Sequence, residues 1–248
     1  MNQAEQEFLD LFQTIAIQEH RYKVFRDWVT MAAIALNNSI HKDPDLEEEY
    51  LHLIRAYQKD DQLKLTHLLA LLVMALEEGI QDVLGNVYMQ LDLGSKHVGQ
   101  FFTPYSVSLA MAKLTFEPPL TQSNLPITIH EPACGSGSMI LALCQVVLDA
   151  GFNPQRDIWI SAVDVDPMVA SMCYIQLSLL NIPAEVVIGN SLSLEISRVY
   201  RTPAHHLGFW DQKLKKKSCA HNRGPSFNKE ETEALNDDFV LVPLNSKT

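Results

Sequence analysis

No apolar run in this sequence is long enough to cross a bilayer. The longest, Leu68–Leu76, is bounded by His67 and Glu77, whereas a membrane helix needs about 20 predominantly apolar residues. The basic-then-apolar order of a secretory leader is missing from the acidic start Met1–Asp10, so the expected location is the cytoplasm. Cysteine is scarce: Cys134, Cys144, Cys173 and Cys219 form no Cys-x-x-Cys pair, which argues against a disulfide framework or a zinc ribbon and for reduced thiols on apolar faces. Positive charge is short as well, with 19 Lys and Arg against 30 Asp and Glu and a net charge of −11. A protein that grips DNA by itself needs a basic face to neutralise phosphates. The single dense basic run, Lys213–Lys217, reads as a solvated tail, with a phosphate contact as the alternative.

What is present is ordinary for a globular chain: 248 residues, 47% hydrophobic and 20% charged, enough for one good-sized domain with a helical extension. Residues 1–95 read as helical. Apolar positions recur at three-and-four spacing in Phe8–Gln18 and Tyr22–Ile40. After the turn His41–Asp45, Asp45 is a candidate N-cap for a helix opening at Leu46, rich in glutamate in its first turn. Asp60–Gly79 reads as a third helix, buried on a broad face and stopped by Gly79, and Ile80–Gly94 as a fourth, interrupted by Gly85.

From residue 126 the period changes. Pro126–Pro132, Arg156–Pro167 and Ala184–Ser191 read as strands, separated by helices over Gly137–Gly151 and Pro167–Pro183. Alternating strands and helices predict an α/β fold with a parallel, doubly wound sheet, whose ligands bind at the carboxyl ends of its strands. That places any chemistry at Glu131–Gly137, Asp164–Asp166 and Gly189–Ser191. Beyond residue 195 no clear element is legible. Residues 201–248 read as an extension, partly disordered, with Phe239–Leu244 able to form one edge strand.

The glycine turn Gly135-Ser136-Gly137 follows a strand and opens a helix, as in nucleotide-binding turns. However, a dinucleotide fingerprint needs a third glycine where Ile140 stands. Glu131 ends the first strand and Asp164 the second. A carboxylate at the end of a second strand suits a ribose diol. One at the end of the first is wrong for a pyrophosphate and right for a cationic group. Charge logic therefore favours S-adenosylmethionine, with its amino and sulfonium groups, over NAD. His205 and His206 could join Cys219 and His221 in a metal cluster, but adjacent histidines point apart, and no metal site is expected.

The segment Glu131–Met139 resembles the first motif of the adenine-specific, amino-group DNA methyltransferases. Gly99–Pro104, Gly-Gln-Phe-Phe-Thr-Pro, is similar to a signature of the methylation subunits of type I restriction-modification systems, and Ala162–Pro167 resembles their second motif. The resemblance implies an S-adenosylmethionine-dependent DNA methyltransferase, of restriction-modification or mobile-element type. Its fold would be a helical amino-terminal region (1–95), a Rossmann-like sheet (96–200) and the extension 201–248. It implies that Phe101, Thr103 and Pro104 line the methionine end of the cofactor. Glu131, Ala133, Gly135 and Gly137 would wrap its amino acid and sulfonium, Asp164 would hold the ribose, and Val165 or Met168 would lie on the adenine. Asn190 stands where the family often has an acid that touches the adenine amino group.

The family also needs Asn/Asp/Ser-Pro-Pro-aromatic to hold the target amine, and this sequence has none. Glu117–Leu120 has the wrong end residues, Asn153–Arg156 has one proline, and Thr202–His205 and Gly224–Phe227 lack the core. Room for only part of the sheet remains after the third strand. Two readings follow: a methyltransferase acting on DNA, alone or with a partner subunit, or a catalytically inactive S-adenosylmethionine-binding partner or regulatory subunit of such a system. A small-molecule methyltransferase is a third. Asn190 and Tyr200–His206 are the places to look for a catalytic group.

Overall fold

Six helices precede the first strand in the computed structural model, which describes residues 2–93, 102–116, 126–222 and 240–241, with the backbone alone for 218–222 and 240–241. Helices α1 (Gln3–Gln13), α2 (Arg21–Asn38), α3 (Pro44–Arg55), α4 (Lys59–Glu77) and α5 (Val83–Gln90) form the amino-terminal part, and α6 (Tyr105–Thr115) follows Pro104. Local chemistry sets their ends. Asn2 caps α1 by accepting from Glu5 N–H at 2.8 Å. The Arg21 guanidinium donates to the carbonyls of Phe12, Ile15, Ala16 and Glu19, closing the end of α1 and its following turn. The cap of α3 is Asp43, not Asp45: its carboxylate accepts from Asp45 and Leu46 N–H at 3.0 and 3.2 Å. Pro44 takes the first helical position, so the cap must stand before it.

The carboxyl-terminal part alternates as its period demands. β1 (Ile127–Glu131), α7 (Ser138–Asp149), a short α8 (Pro154–Asp157), β2 (Ile158–Asp164), α9 (Pro167–Leu179) and β3 (Ala184–Asn190) follow in order. The string Asn153–Arg156 is a helix start: Asn153 Oδ1 accepts from Gln155 N–H at 2.9 Å, with Pro154 behind it. β1, β2 and β3 pair in parallel.

Residues 195–222, read from sequence as lacking elements, fold as β4 (Glu195–Arg201), α10 (Pro203–Leu207) and α11 (Trp210–Asn222). β4 runs antiparallel to β3 at the sheet edge and buries little besides Tyr200, so it carries no clean alternation of apolar residues. Gly189 lies at the irregularity in this pairing, where a Cβ would come within 2.5 Å of the Glu195 carbonyl oxygen. The basic run Lys213–Lys217 lies on α11, and Lys217 Nζ reaches the Pro126 carbonyl at 3.0 Å and Thr128 Oγ1 at 3.2 Å. β5 (Val240–Leu241) pairs in parallel with β1, completing the order β4-β3-β2-β1-β5.

One continuous apolar core joins the two parts. Helix α9 is its centre. It packs on the sheet on one side and against α2, α4 and α5 on the other, which is why its buried residues run unbroken from Met168 to Ser178. Among the described residues no helix is long and apolar enough to cross a membrane.

Candidate cofactor site

The strand order reverses at β1: β2 and β3 lie to one side and β5 to the other. In such sheets a crevice opens at the carboxyl end of the strand where the order turns. Glu131 closes β1 there, and Asp164 closes the neighbouring β2.

The turn between β1 and α7 is pinned to β2 by two bonds. Cys134 N–H donates to the Val163 carbonyl at 2.8 Å, and Gly135 N–H to Asp164 Oδ2 at 2.9 Å. Gly135 (φ +58°) and Gly137 (φ +98°) both take the left-handed conformation, which glycine adopts at no steric cost. They differ in what surrounds them. A Cβ on Gly137 would lie 3.0 Å from Cys173 Sγ on the buried α9, whereas one on Gly135 would meet only the Phe102 ring at ordinary contact, 3.6 Å. Gly137 is thus required by packing, and Gly135 by backbone shape on the open side.

The other Asp164 oxygen accepts from Asp166 N–H at 2.9 Å, and Glu131 Oε1 accepts from Ala133 N–H at 3.2 Å. Burial pushes the Glu131 carboxyl above its ordinary range, the backbone bond from Ala133 opposes this, and the charge of Asp164 adds to it. Asp164 is raised too, by burial first, with bonds from Asp166 and Gly135 opposing. A buried carboxyl whose charge its half-buried neighbour disfavours is an arrangement that a cation or hydroxyl donors would stabilise.

The structure brings Glu131, Ala133, Gly135, Gly137 and Asp164 together on this turn. Thr103 and Pro104 are exposed at the start of α6, where the Thr103 carbonyl accepts from Ser138 Oγ at 3.3 Å. Phe101 lies outside the described residues, as do Gly99, Gln100 and the strings Glu117–Leu120 and Gly224–Phe227. Phe102 stands against the turn, its ring edge-on to Tyr88 with centroids 5.0 Å apart. Between the two candidates for an adenine contact, Val165 is 69% exposed at the end of β2 and Met168 is buried at 3%.

Asn190 is exposed at the end of β3, but its Oδ1 accepts from Leu192 and Ser193 N–H at 2.9 and 3.2 Å, so it shapes the hairpin to β4. Tyr200–His206 is far from the crevice. Arg201 pairs with Glu185 near the start of β3, which puts this segment beyond the amino-terminal edge of the parallel strands. Its polar groups are structural. Thr202 Oγ1 donates to the Ile182 carbonyl at 2.8 Å and accepts from Ala184 N–H at 2.9 Å. His205 Nδ1 accepts from Trp159 Nε1 at 3.0 Å, and burial lowers the pKa of this ring despite Asp211 Oδ1 3.3 Å from its Nε2. Among the described residues no cluster of three or more metal-ligating side chains exists, and the side chains of Cys219 and His221 lie outside them.

Sequence reasoning missed Ser136, Asp82 and Gln176, which meet behind the turn. The available signal was Asp-x-x-Gly at 82–85, a helix cap whose glycine had no evident reason.

No curated protein sequence matches this chain. Among solved structures, it is similar to a protein from Listeria monocytogenes assigned to the class I S-adenosylmethionine-dependent methyltransferases, at 18% identity and a TM-score of 0.45, covering 74% of this chain and 52% of that one. It is also similar to a type I restriction-modification system methyltransferase subunit from Streptococcus thermophilus, at 12% identity and a TM-score of 0.36, covering 73% and 55%. The chain therefore spans about half the length of these two proteins. The family described as N-6 DNA Methylase matches residues 80–239, well over half of the chain and including the whole turn from Glu131 to Gly137, and the chain belongs to that family.

Proposed function

We propose that the crevice at the end of β1 binds S-adenosylmethionine and that the chain is the donor-holding part of an adenine-specific DNA methyltransferase of restriction-modification type. The observation that carries this is the buried Glu131 carboxyl beside the half-buried Asp164, both bonded to a turn with two left-handed glycines. Such a pair repels a pyrophosphate and attracts an ammonium, a sulfonium and ribose hydroxyls. Glu131 would take the cationic end, Asp164 the ribose, Val165 the adenine face, and Phe102 would shield the turn near the methionine end.

When bound, the cofactor supplies an electrophilic methyl group on sulfur. The chain's part is to fix that group and keep its cationic surroundings complementary. Transfer further requires groups that accept hydrogen bonds from the target amine. This sequence has no Asn-Pro-Pro-aromatic string. The second reading is a division of labour: this chain holds the donor, and a partner subunit contributes to the target base and, given a net charge of −11, to the DNA phosphates.

Calorimetry with S-adenosylmethionine tests the first part. The expected result is micromolar-range binding by the wild type and none of comparable strength for NAD. Absence of binding refutes the donor site. Transfer of tritiated methyl groups to unmethylated DNA tests the second. Binding with no transfer across varied DNA leaves the donor-holding role standing and removes autonomous catalysis.

A further inference from the structure

The group that holds the glycine turn from behind comes from the helical part of the chain. Asp82 is 2% exposed and precedes α5. Among the described residues three neutral donors reach it: Gly85 N–H to Oδ1 at 2.8 Å, Gln176 Nε2 to Oδ1 at 2.9 Å, and Ser136 Oγ to Oδ2 at 2.5 Å. Gln176 closes the circuit. Its Nε2 also donates to the Ser136 carbonyl at 2.9 Å, and its Oε1 accepts from Leu84 N–H at 3.1 Å.

Helix capping does not account for this arrangement. A cap needs one oxygen, and Oδ1 with Gly85 supplies it. The second oxygen is committed to Ser136, the residue between the two left-handed glycines. With both its hydroxyl and its carbonyl held, Ser136 cannot rotate without leaving buried polar groups unpaired, at substantial cost. Gly85 belongs to the same device: a Cβ there would lie 2.2 Å from Asp82 Oδ2. The aromatic pair Tyr88–Phe102 and the bond from Tyr105 Oη to the Ile80 carbonyl, 2.6 Å, bring α5 and α6 to the same place.

We infer that Asp82 is a positioning residue for the cofactor turn, acting through Ser136, so that the helical part completes the donor site. This rests on the crevice being the S-adenosylmethionine site proposed above. The coupling is reciprocal: a ligand that orders the turn also steadies the first turn of α5.

Calorimetry with S-adenosylmethionine on full-length wild type, Asp82→Ala, Ser136→Ala and the double variant tests this, with thermal unfolding run in parallel. Each single variant is expected to weaken binding about tenfold, the scale of one hydrogen bond. The double variant is expected to bind no worse than Asp82→Ala, because the second change removes a partner already lost. Losses that multiply to about a hundredfold, or single variants that bind like the wild type, overturn the inference. Asp82→Ser covers the case in which Asp82→Ala does not fold. It keeps a capping oxygen for Gly85 and has no second oxygen for Ser136, so a folded variant with weakened binding supports the inference, and unchanged binding overturns it. Hydrogen exchange gives a separate readout: cofactor should protect the amides of Leu84 and Gly85 in the wild type and lose that effect in Ser136→Ala. A wild type that binds no S-adenosylmethionine overturns the donor site itself, and this inference with it, which is distinguishable from a wild type that binds while its Asp82 variants bind equally.

Discussion

Replacing Gly137 and Gly135 by alanine should separate packing from ligand contact. At Gly137 the backbone has φ +98° and the new Cβ would sit 3.0 Å from Cys173 Sγ, 3.5 Å from its Cβ and 3.6 Å from its Cα. Left-handed backbone costs an L-residue about 1–2 kcal/mol. Crowding a packed core adds roughly 1–3 kcal/mol, and Cys173, fully buried on α9, cannot swing clear. The sum is about 2–5 kcal/mol, or roughly 5–15 °C in melting temperature for a chain of this size. At Gly135 the backbone term alone remains, about 1–2 kcal/mol, because the Phe102 ring at 3.6 Å is an ordinary neighbour. Thermal and denaturant unfolding followed by circular dichroism measure both. Gly137→Ala should unfold well below Gly135→Ala, and adding Cys173→Ala should recover part of the difference, since the two changes share one contact. Equal destabilisation of the two glycine variants would refute the packing argument. In calorimetry Gly135→Ala should still lose S-adenosylmethionine affinity, by more than its small stability cost would suggest.

Three further outcomes are expected. Burial raises the Glu131 and Asp164 pKa values. A raised carboxylate pKa contributes stability that is complete below the unfolded value, near 4, and is lost as pH rises through the folded value. The ligand-free protein should therefore lose this contribution above about pH 4, while S-adenosylmethionine binding, which needs the ionised forms, should weaken as pH falls through the raised values. Calorimetry in buffers of different ionisation heat should show proton release on binding there, and proton uptake would contradict it. Asp164→Ala removes the acceptor of Gly135 N–H and of Asp166 N–H and should weaken cofactor binding by about a hundredfold or more, taking two lost hydrogen bonds to a charged group. Asn190→Ala, by contrast, should leave binding within about twofold and cost the hairpin about 0.5–1.5 kcal/mol of stability, read from the unfolding midpoint.

The βαβαβ order was legible because each element carries its own period and punctuation. Pro167 behind the Asp166 cap, and Gly151 past the end of α7, are local signals that need no partner. The glycine turn was legible for the same reason, and so were the carboxylates that end β1 and β2. Where local signals were weak the sequence reading failed. β4 is an edge strand whose outward residues, Ile196 and Val199, are apolar and exposed, so burial imposes no alternation to detect. The choice of Asp45 over Asp43 as a cap overlooked that Pro44 dictates the boundary. Asn190 is a candidate in sequence because it stands where the resembled family often has an acid, and Tyr200–His206 because it is a polar segment beyond the third strand. The antiparallel return of β4 carries Tyr200–His206 to the opposite edge of the sheet, while Asn190 stays exposed at the carboxyl end of β3 with its Oδ1 bonded to the hairpin.

By itself the sequence determined the alternation of strands and helices over residues 126–191, the position of the glycine turn and the carboxylate at each of two strand ends. These depend on neighbours a few residues apart along the chain. Tertiary structure alone decided which glycine is required by packing and which by backbone shape, that Val165 is exposed while Met168 is buried, and that Asp82 belongs with Ser136 and Gln176. Those residues are separated by 54 and 94 positions, and no periodicity or local propensity links positions so far apart. Only the docking of α5 on α9 brings them within hydrogen-bonding range, where a buried carboxylate must find its donors.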